Sequence, residues 1–361
     1  MSAAGRPNED APGRTAAAIR EAGFVRLVGT ADGDALAATG LLARALEATG
    51  TPYQASLATV PDPSTADADC TVAVGHAPGG AIDAIVEGTP LSTAAADIVR
   101  ELDDGAVDPA LTLAGATCAS AEPSGRPLEA AGLERRPGVA LPTEDRIDGL
   151  AGSTLVHADF SGDEEAAEAA LAGLDDEQGR RLASLVALSV VEDAVPRAAE
   201  AVERALRPYE CDRFETLGGY ADVLTAVARE RPGVGVALAL GRDVEATALE
   251  TWRDHGQRAH TALRTADTGR YDGLYAARVG KDAPLGTVAR LCFEYRSPEP
   301  LALAVTDGRA AVFTETGVDV EGPLRAAATA LNGRATARDG RGAATFDGTA
   351  DEYLVAFREA Q

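Results

Sequence analysis

Two stretches of the chain hold residues whose types and spacing could do chemistry. The first is Leu27-Val28-Gly29-Thr30-Ala31-Asp32-Gly33-Asp34, an apolar run ending in a turn with two carboxylates and a glycine. A turn of this kind, between a strand and a helix, sets its groups at the C-terminal edge of a parallel sheet, where open α/β folds bind ligands. Asp32 there can cap the following helix, and Asp34 can do the same or stay solvated. The second is the run 332–342, in which Arg334, Arg338 and Arg341 stand among Gly333, Gly340 and Gly342. Arginine offers planar, permanently charged recognition of phosphate, and glycines let backbone amides approach an anion. His76 and His157 each close an apolar run, and Asp159 follows His157. His255 and His260 lack the i, i+4 spacing of a helical metal pair and read as surface residues.

The elements that must position these groups alternate strand and helix. Short, often β-branched runs at 24–28, 54–60, 70–75 and 154–157 read as parallel core strands. Between them 35–48, 92–102 and 164–174 have helical spacing, and Ser161 with Glu164 has the spacing of a capping box. Helix continues over 178–206 with a break at Pro196, then over 220–229 and 244–263 around an apolar segment, 234–240, that reads as a strand. Beyond Gly269 the runs 271–279, 285–293, 301–306 and 310–314 read as strands, with a hairpin turn at Thr306-Asp307-Gly308. A helix at 323–331, a glycine-rich loop at 332–342, a strand at 343–346 and a helix at 350–359 complete the chain. The expected division is a disordered tail at 1–15, an α/β domain at 16–195, a mainly helical connection at 196–270 and a smaller domain at 271–361.

Length and composition bound the function. A chain of 361 residues, 45% hydrophobic, can bury a substantial core. No run approaches the roughly 18 apolar residues of a membrane span, and the polar start carries no apolar signal core, so a cytoplasmic protein is expected. Four cysteines, Cys70, Cys118, Cys211 and Cys292, lie far apart and read as free thiols. The formal charge of −24 arises from 57 acidic and 33 basic residues, and Lys281 is the single lysine. An acidic surface with arginine in place of lysine is the composition of an extreme halophile, so the charge speaks of solvent more than of partners. Multimolar salt also flattens counterion release, and any DNA contact must rely on geometry or on a partner protein.

The first stretch resembles the opening motif of the DHH phosphoesterases, His-x-Asp-Ala-Asp-Gly: Ala31-Asp32-Gly33 matches, and Val28 and Thr30 take the places of the histidine and the first aspartate. In the order of its pieces the chain resembles the RecJ-like branch of that superfamily, with its archaeal single-strand exonucleases and the related subunit of the eukaryotic replicative helicase. Thr71-Val72-Ala73-Val74-Gly75-His76-Ala77 corresponds to the strand that ends in Asp-His-His, which makes His76 the surviving histidine and places Gly75 and Ala77 beside it. The run from Leu113 to Ala119 corresponds to the helix end that carries an aspartate in the family, and it offers no carboxylate. The run 155–163 is similar to a strand-to-helix junction of the archaeal members. Asp339-Gly340-Arg341-Gly342-Ala343-Ala344 corresponds to the family's Gly-Gly-Gly-His phosphate-binding run, with the histidine gone.

This resemblance implies an α/β fold in which a parallel-sheet DHH-type domain and a smaller C-terminal α/β DHH-associated domain lie across a cleft. Its matching positions make Asp32, Asp34 and His76 metal positions, with Asp32 and His76 as the catalytic remnant; outside the motifs, Asp159 is a further candidate ligand that, with His157, is expected to approach the same sheet edge. The resemblance also implies nucleic-acid phosphate binding by Arg334, Arg338, Gly340, Arg341 and Gly342. Two-metal phosphodiester cleavage needs several carboxylates and imidazoles in one place, more than these positions supply. The expected protein is therefore a RecJ-like pseudoenzyme of DNA replication or repair, haloarchaeal in source. Its nuclease centre is eroded and it serves as a binding or scaffold subunit. Single-stranded nucleic acid and replication or repair proteins are the expected partners, with no membrane and no cofactor. Two alternatives stay open: an active single-strand exonuclease using Mn or Mg, and a small-nucleotide phosphodiesterase, because Asp32-Gly33-Asp34 resembles the oligoribonuclease variant of the first motif.

Overall fold

The computed structural model describes residues 11–62, 68–76, 82–174, 179–191, 195–315 and 317–361. The chain forms two units, Met1–Ala131 with Pro232–Val244, and Gly132–Arg231 with Glu245–Gln361. The expected boundary at 195/196 therefore falls inside the second unit, and part of the expected connection belongs to the first.

The first unit runs α1 (Ala11–Glu21), β1 (Val25–Thr30), α2 (Gly33–Thr49), β2 (Tyr53–Ala58), β3 (Cys70–Val74), β4 (Ala84–Val86), α3 (Leu91–Asp103), α4 (Pro109–Cys118) and α5 (Gly125–Ala131). Helix thus begins at Ala11, within the stretch read as a tail. The four strands form a parallel sheet in the order β2-β1-β3-β4, and all six residues of β1 are buried, as in a central strand with both faces covered. Such a strand needs no alternation, which is why its sequence is a continuous apolar run. Helix α2 is buried along most of its length and is built from small residues that let its neighbours come close. A Cβ on Gly115 of α4 would stand 2.6 Å from the Cβ atoms of both Ala37 and Ser92, so three helices meet at that glycine.

The second unit contains α6 (Arg146–Gly152), α7 (Glu164–Leu171), α8 (Gly179–Val191), α9 (Ala198–Ala205) and α10 (Leu217–Glu230). Helix α11 (Pro232–Ala239) lies in the first unit, where Ala239 packs against Gly40. The second unit resumes with α12 (Glu245–Thr265), β5 (Asp267–Tyr271), β6 (Leu274–Arg278), α13 (Leu285–Tyr295), β7 (Leu301–Thr306), β8 (Arg309–Thr314), α14 (Glu321–Ala330), β9 (Arg334–Arg338), β10 (Arg341–Thr345) and α15 (Ala350–Ala360). Its sheet has the order β5-β6-β7-β8-β10-β9, antiparallel except for β6 beside β7. One face packs on α14 and α15 through Leu303, Val312, Leu324 and Phe357. The other, through Ala302, Ala304 and Ala311, joins a core shared with α9, α12 and α13.

Four expectations are corrected. The segment 234–240 is helix α11, started by Pro232 at its first position, where a missing amide costs nothing. The segment 285–293 is helix α13, buried on nearly every side, so its apolar run lacks the period that separates helix from strand. The segment 154–157 forms no strand. The run read as a loop at 332–342 holds the two strands β9 and β10, joined at Asp339-Gly340, both with positive φ as in a type I′ turn. Among the described residues no helix is long and apolar enough to cross a membrane.

Replacing Gly115 by valine should destabilise the protein by about 2 kcal/mol through overpacking. Gly13→Ala in α1, where an added Cβ meets nothing within 4 Å, should stabilise it by about 0.5 kcal/mol. Urea unfolding at fixed salt reads both signs, and a neutral Gly115→Val would contradict the three-helix contact.

Candidate functional site

The first motif sits where β1 hands over to α2. Asp32 has extended backbone at φ −135° and ψ 160° and caps the helix, accepting the Ala35 amide at 2.9 Å. Its other oxygen accepts the Thr30 hydroxyl at 2.6 Å. Asp34 is not solvated. Its side chain is fully buried, and its two oxygens accept the amides of Leu91 at 2.8 Å and Ser92 at 2.9 Å. These amides open α3, whose own cap residue, Pro90, brings no side-chain acceptor, so Asp34 supplies the cap from a neighbouring helix.

Gly75 follows the end of β3, the strand next to β1. It has φ +80°, and a Cβ there would lie 2.4 Å from the Thr30 hydroxyl oxygen. His76 is 9% exposed; its Nδ1 lies 3.5 Å from the Val74 carbonyl oxygen, and its Nε2 is buried without a partner among the described residues. Burial holds its pKa below the ordinary imidazole value, against the pull of that carbonyl. Ala77 lies outside the described residues. The structure thus brings Asp32, Asp34 and His76 to one sheet edge, while Asp159 belongs to the second unit and is exposed.

Among the described residues, these side chains are not gathered as a divalent metal pair requires. Hard cations need carboxylate oxygens turned to a common point, and here Asp34 is turned to the α3 amides while Asp32 is turned to its own helix and Thr30. Among the described residues no three His, Cys, Asp or Glu side chains gather as a ligand set.

In the second unit the segment 153–162 is irregular, and buried side chains satisfy its backbone. Asp222 accepts the Thr154 amide at 3.0 Å, the Thr154 hydroxyl at 2.5 Å and the Trp252 indole N–H at 2.8 Å. Arg290 donates to the Thr154 carbonyl at 2.7 Å, and the Tyr295 hydroxyl to the Leu155 carbonyl at 2.8 Å. Glu294, itself buried, pairs with Arg290 at 2.6 Å and Arg204 at 2.5 Å. The expected capping box is replaced as well: Asp163 caps α7 through the Ala166 amide, and the Ser161 hydroxyl accepts the Ala158 amide.

His255 and His260, expected at the surface, are both buried. His260 donates from Nε2 to the Ser153 carbonyl at 2.9 Å, which leaves its Nδ1 to accept from Nδ1 of His157 at 3.1 Å. Arg296 in turn approaches Nε2 of His157 at 3.4 Å. Both rings are therefore neutral. Burial, then His260, Arg296 and Arg264, holds His157 down to about 3, and burial holds His260 down to about 4 although the Ser153 carbonyl opposes it. His255 lies between Glu230 and Thr287, each at 2.8 Å, an arrangement shaped like a hydrolytic triad. Thr287 is fully buried and also accepts from Arg229, so it is no nucleophile. Burial opposes ionisation of Glu230, but His255 and Arg258 outweigh it and hold the acid at about 2. Sequence reasoning passed over Asp222 and Arg290. The available signal was a lone charge inside an otherwise apolar helical stretch, which must find a partner when buried.

The hairpin β9–β10 carries the three arginines. Ala335, Ala337 and Ala344 face the core, which sets Arg334, Arg338 and Arg341 on the opposite face, with Arg338 directly across from Arg341. Arg338 pairs with Asp339 at 2.6 Å, and Arg341 lies 5.3 Å over the Phe313 ring. Each glycine has a structural cause: Gly340 adopts φ +74° in the turn, and a Cβ on Gly342 would stand 2.7 Å from Leu324.

Comparison with known proteins agrees with this architecture. Residues 266–359 match the family described as the C-terminal domain of uncharacterized protein rrnAC1427. The chain is also 52% identical over 377 residues to the protein rrnAC1427 of Haloarcula marismortui, covering 100% of both. The chain belongs to the rrnAC1427 family. Among solved structures, CDC45 from Entamoeba histolytica superposes with a TM-score of 0.50 at 9% identity, over 98% of this chain and 96% of that one. A crystal structure of exonuclease RecJ bound to manganese gives 0.49 at 15% identity, over 97% and 92%. The chain thus has a two-unit α/β fold similar to that of CDC45 from Entamoeba histolytica.

Two measurements check the site. Asp34→Ala should cost about 3 kcal/mol, since it strands two buried amides, whereas Asp32→Ala should cost about 1 kcal/mol as a lost helix cap. Equal, small effects would show that Asp34 does not hold α3. His157 and His260 bind no proton when folded until about pH 3 and 4, but bind one near pH 6.5 when unfolded. Their contribution is therefore complete above pH 6.5 and is lost as pH falls through that window. Unfolding free energy should drop by about 1.4 kcal/mol per histidine for each pH unit below about 6, and His157→Gln should flatten the slope by one proton.

Proposed function

We propose that this protein is a RecJ-like member of the DNA replication or repair machinery whose nuclease centre is eroded and which acts as a binding or scaffold subunit. The observation that carries this reading is the use of the motif carboxylates: Asp34 holds α3, Asp32 holds α2, and Gly75 leaves its place to the Thr30 hydroxyl. Among the described residues the two carboxylates are taken up by helix amides and the Thr30 hydroxyl rather than gathered about one point, which argues against a water made nucleophilic by two metals. Nucleic acid, where it binds, meets the Arg334, Arg338 and Arg341 face of the hairpin, whose register supplies adjacent cationic groups. A second reading, an active Mn- or Mg-dependent exonuclease or small-nucleotide phosphodiesterase, draws on His76, whose buried Nε2 has no partner among the described residues.

The deciding experiment incubates the purified protein with single-stranded DNA in high salt with manganese or magnesium. We expect the strand to stay at full length, and its binding by the protein, measured at matched salt, to weaken when the three arginines are replaced by alanine. Metal-dependent shortening that disappears in Asp32→Ala would establish the second reading instead.

A further inference from the structure

We propose that the second unit carries an oxyanion site, formed by Arg264 and Arg296 beside His157 and suited to a single phosphate group. In a chain of net charge −24, arginines are readily matched by carboxylates, as Arg253 is by Asp148 and Arg258 by Glu230. Arg264 and Arg296 are not. Among the described residues, Arg264 donates to the Ser161 carbonyl at 2.5 Å, and Arg296 to the Leu263 carbonyl at 3.2 Å and toward His157 at 3.4 Å. Carbonyls fix the two guanidinium groups in place but leave their full charges uncompensated, and each keeps donors in reserve out of five.

Arg296 reaches Nε2 of His157, and Arg264 Nη2 lies beside Gly162, which also faces His260, the ring stacked on His157, so both guanidinium groups stand around one pair of imidazoles and both lower the pKa of His157. Like charges around one imidazole pair repel each other, and a bound oxyanion converts that repulsion into charge-assisted hydrogen bonds. The surroundings are closely packed. His157 stacks on His260 with ring centroids 5.2 Å apart, and Gly162, at φ +77°, passes close under Arg264 Nη2 and the His260 Cβ. Arg264 is exposed and Arg296 and His157 half-buried, so the cations are open to solvent on one side. The planar fork of guanidinium matches the oxygens of a tetrahedral phosphate better than it matches chloride. The phosphate is either free or carried on a nucleotide.

This site owes nothing to the first unit, and its test is separate from the nuclease assay. Inorganic phosphate titrated into the full-length protein at constant potassium chloride should bind saturably and move the imidazole nitrogen resonances of His157. Arg264→Gln with Arg296→Gln should weaken binding by about tenfold or more, as expected for lost hydrogen bonds to a charged group. Should the pair unfold the protein, Arg264→Gln alone, at an exposed residue, gives the same reading on a smaller scale. A deoxynucleoside monophosphate that moves the same resonances more tightly than inorganic phosphate assigns the group to a nucleotide; the reverse order assigns the free anion. No saturable binding, unmoved His157 resonances, or wild-type affinity in a folded variant would overturn the site.

Discussion

Asp34 sits in the first turn of α2 with both carboxylate oxygens against the first amides of α3. Two helix N-termini, each carrying partial positive charge from unsatisfied amides, therefore share one buried anion. The first unit depends on this contact because α2 is the helix against which α3 and α4 pack, and the small residues Ala37 and Gly115 permit that packing only if α3 enters at the right place. A carboxylate at this position thus has a reason to persist that involves no metal. Its presence in the sequence is by itself poor evidence of catalysis.

The second unit solves a related problem with several buried polar side chains. Its irregular 153–162 segment would leave carbonyls and amides unsatisfied in the interior, and buried polar groups must be paired. Arg290, His260, Tyr295 and Asp222 answer it one group at a time. The ions that do so are themselves compensated, Arg290 by Glu294 and Glu294 by Arg204. Removing one member of such a chain strands the next, which makes the network a stronger constraint on sequence than any one bond in it.

Much of this architecture was legible, and the failures have physical causes. The strands Val25–Thr30 and Cys70–Val74 and the helix between them could be read because apolar runs, a capping aspartate and small residues all point the same way. The segment Leu285–Tyr295 was misread because burial on nearly every side erases the helical period. The hairpin Arg334–Thr345 was missed because its strands are made of Arg, Ala, Thr and Gly, and the clue was the Asp339-Gly340 turn. At the candidate site the residue types were legible, but the partners were not: nothing local to Asp34 indicates that it caps a helix beginning 57 positions later. Likewise nothing beside His157 announces His260.

The relation between Thr30 and Gly75 limits which sequences this turn accepts. Position 75 sits at φ +80° with the Thr30 hydroxyl in the space a side chain would fill, and that hydroxyl is a partner of Asp32. A side chain at 75 first requires a smaller residue at 30, and that change takes one partner from Asp32. Each single substitution toward a side chain at 75 thus passes through a form with a clash or a lost bond. Positions 30 and 75 are therefore coupled like two keys of one lock, and neither can be turned alone.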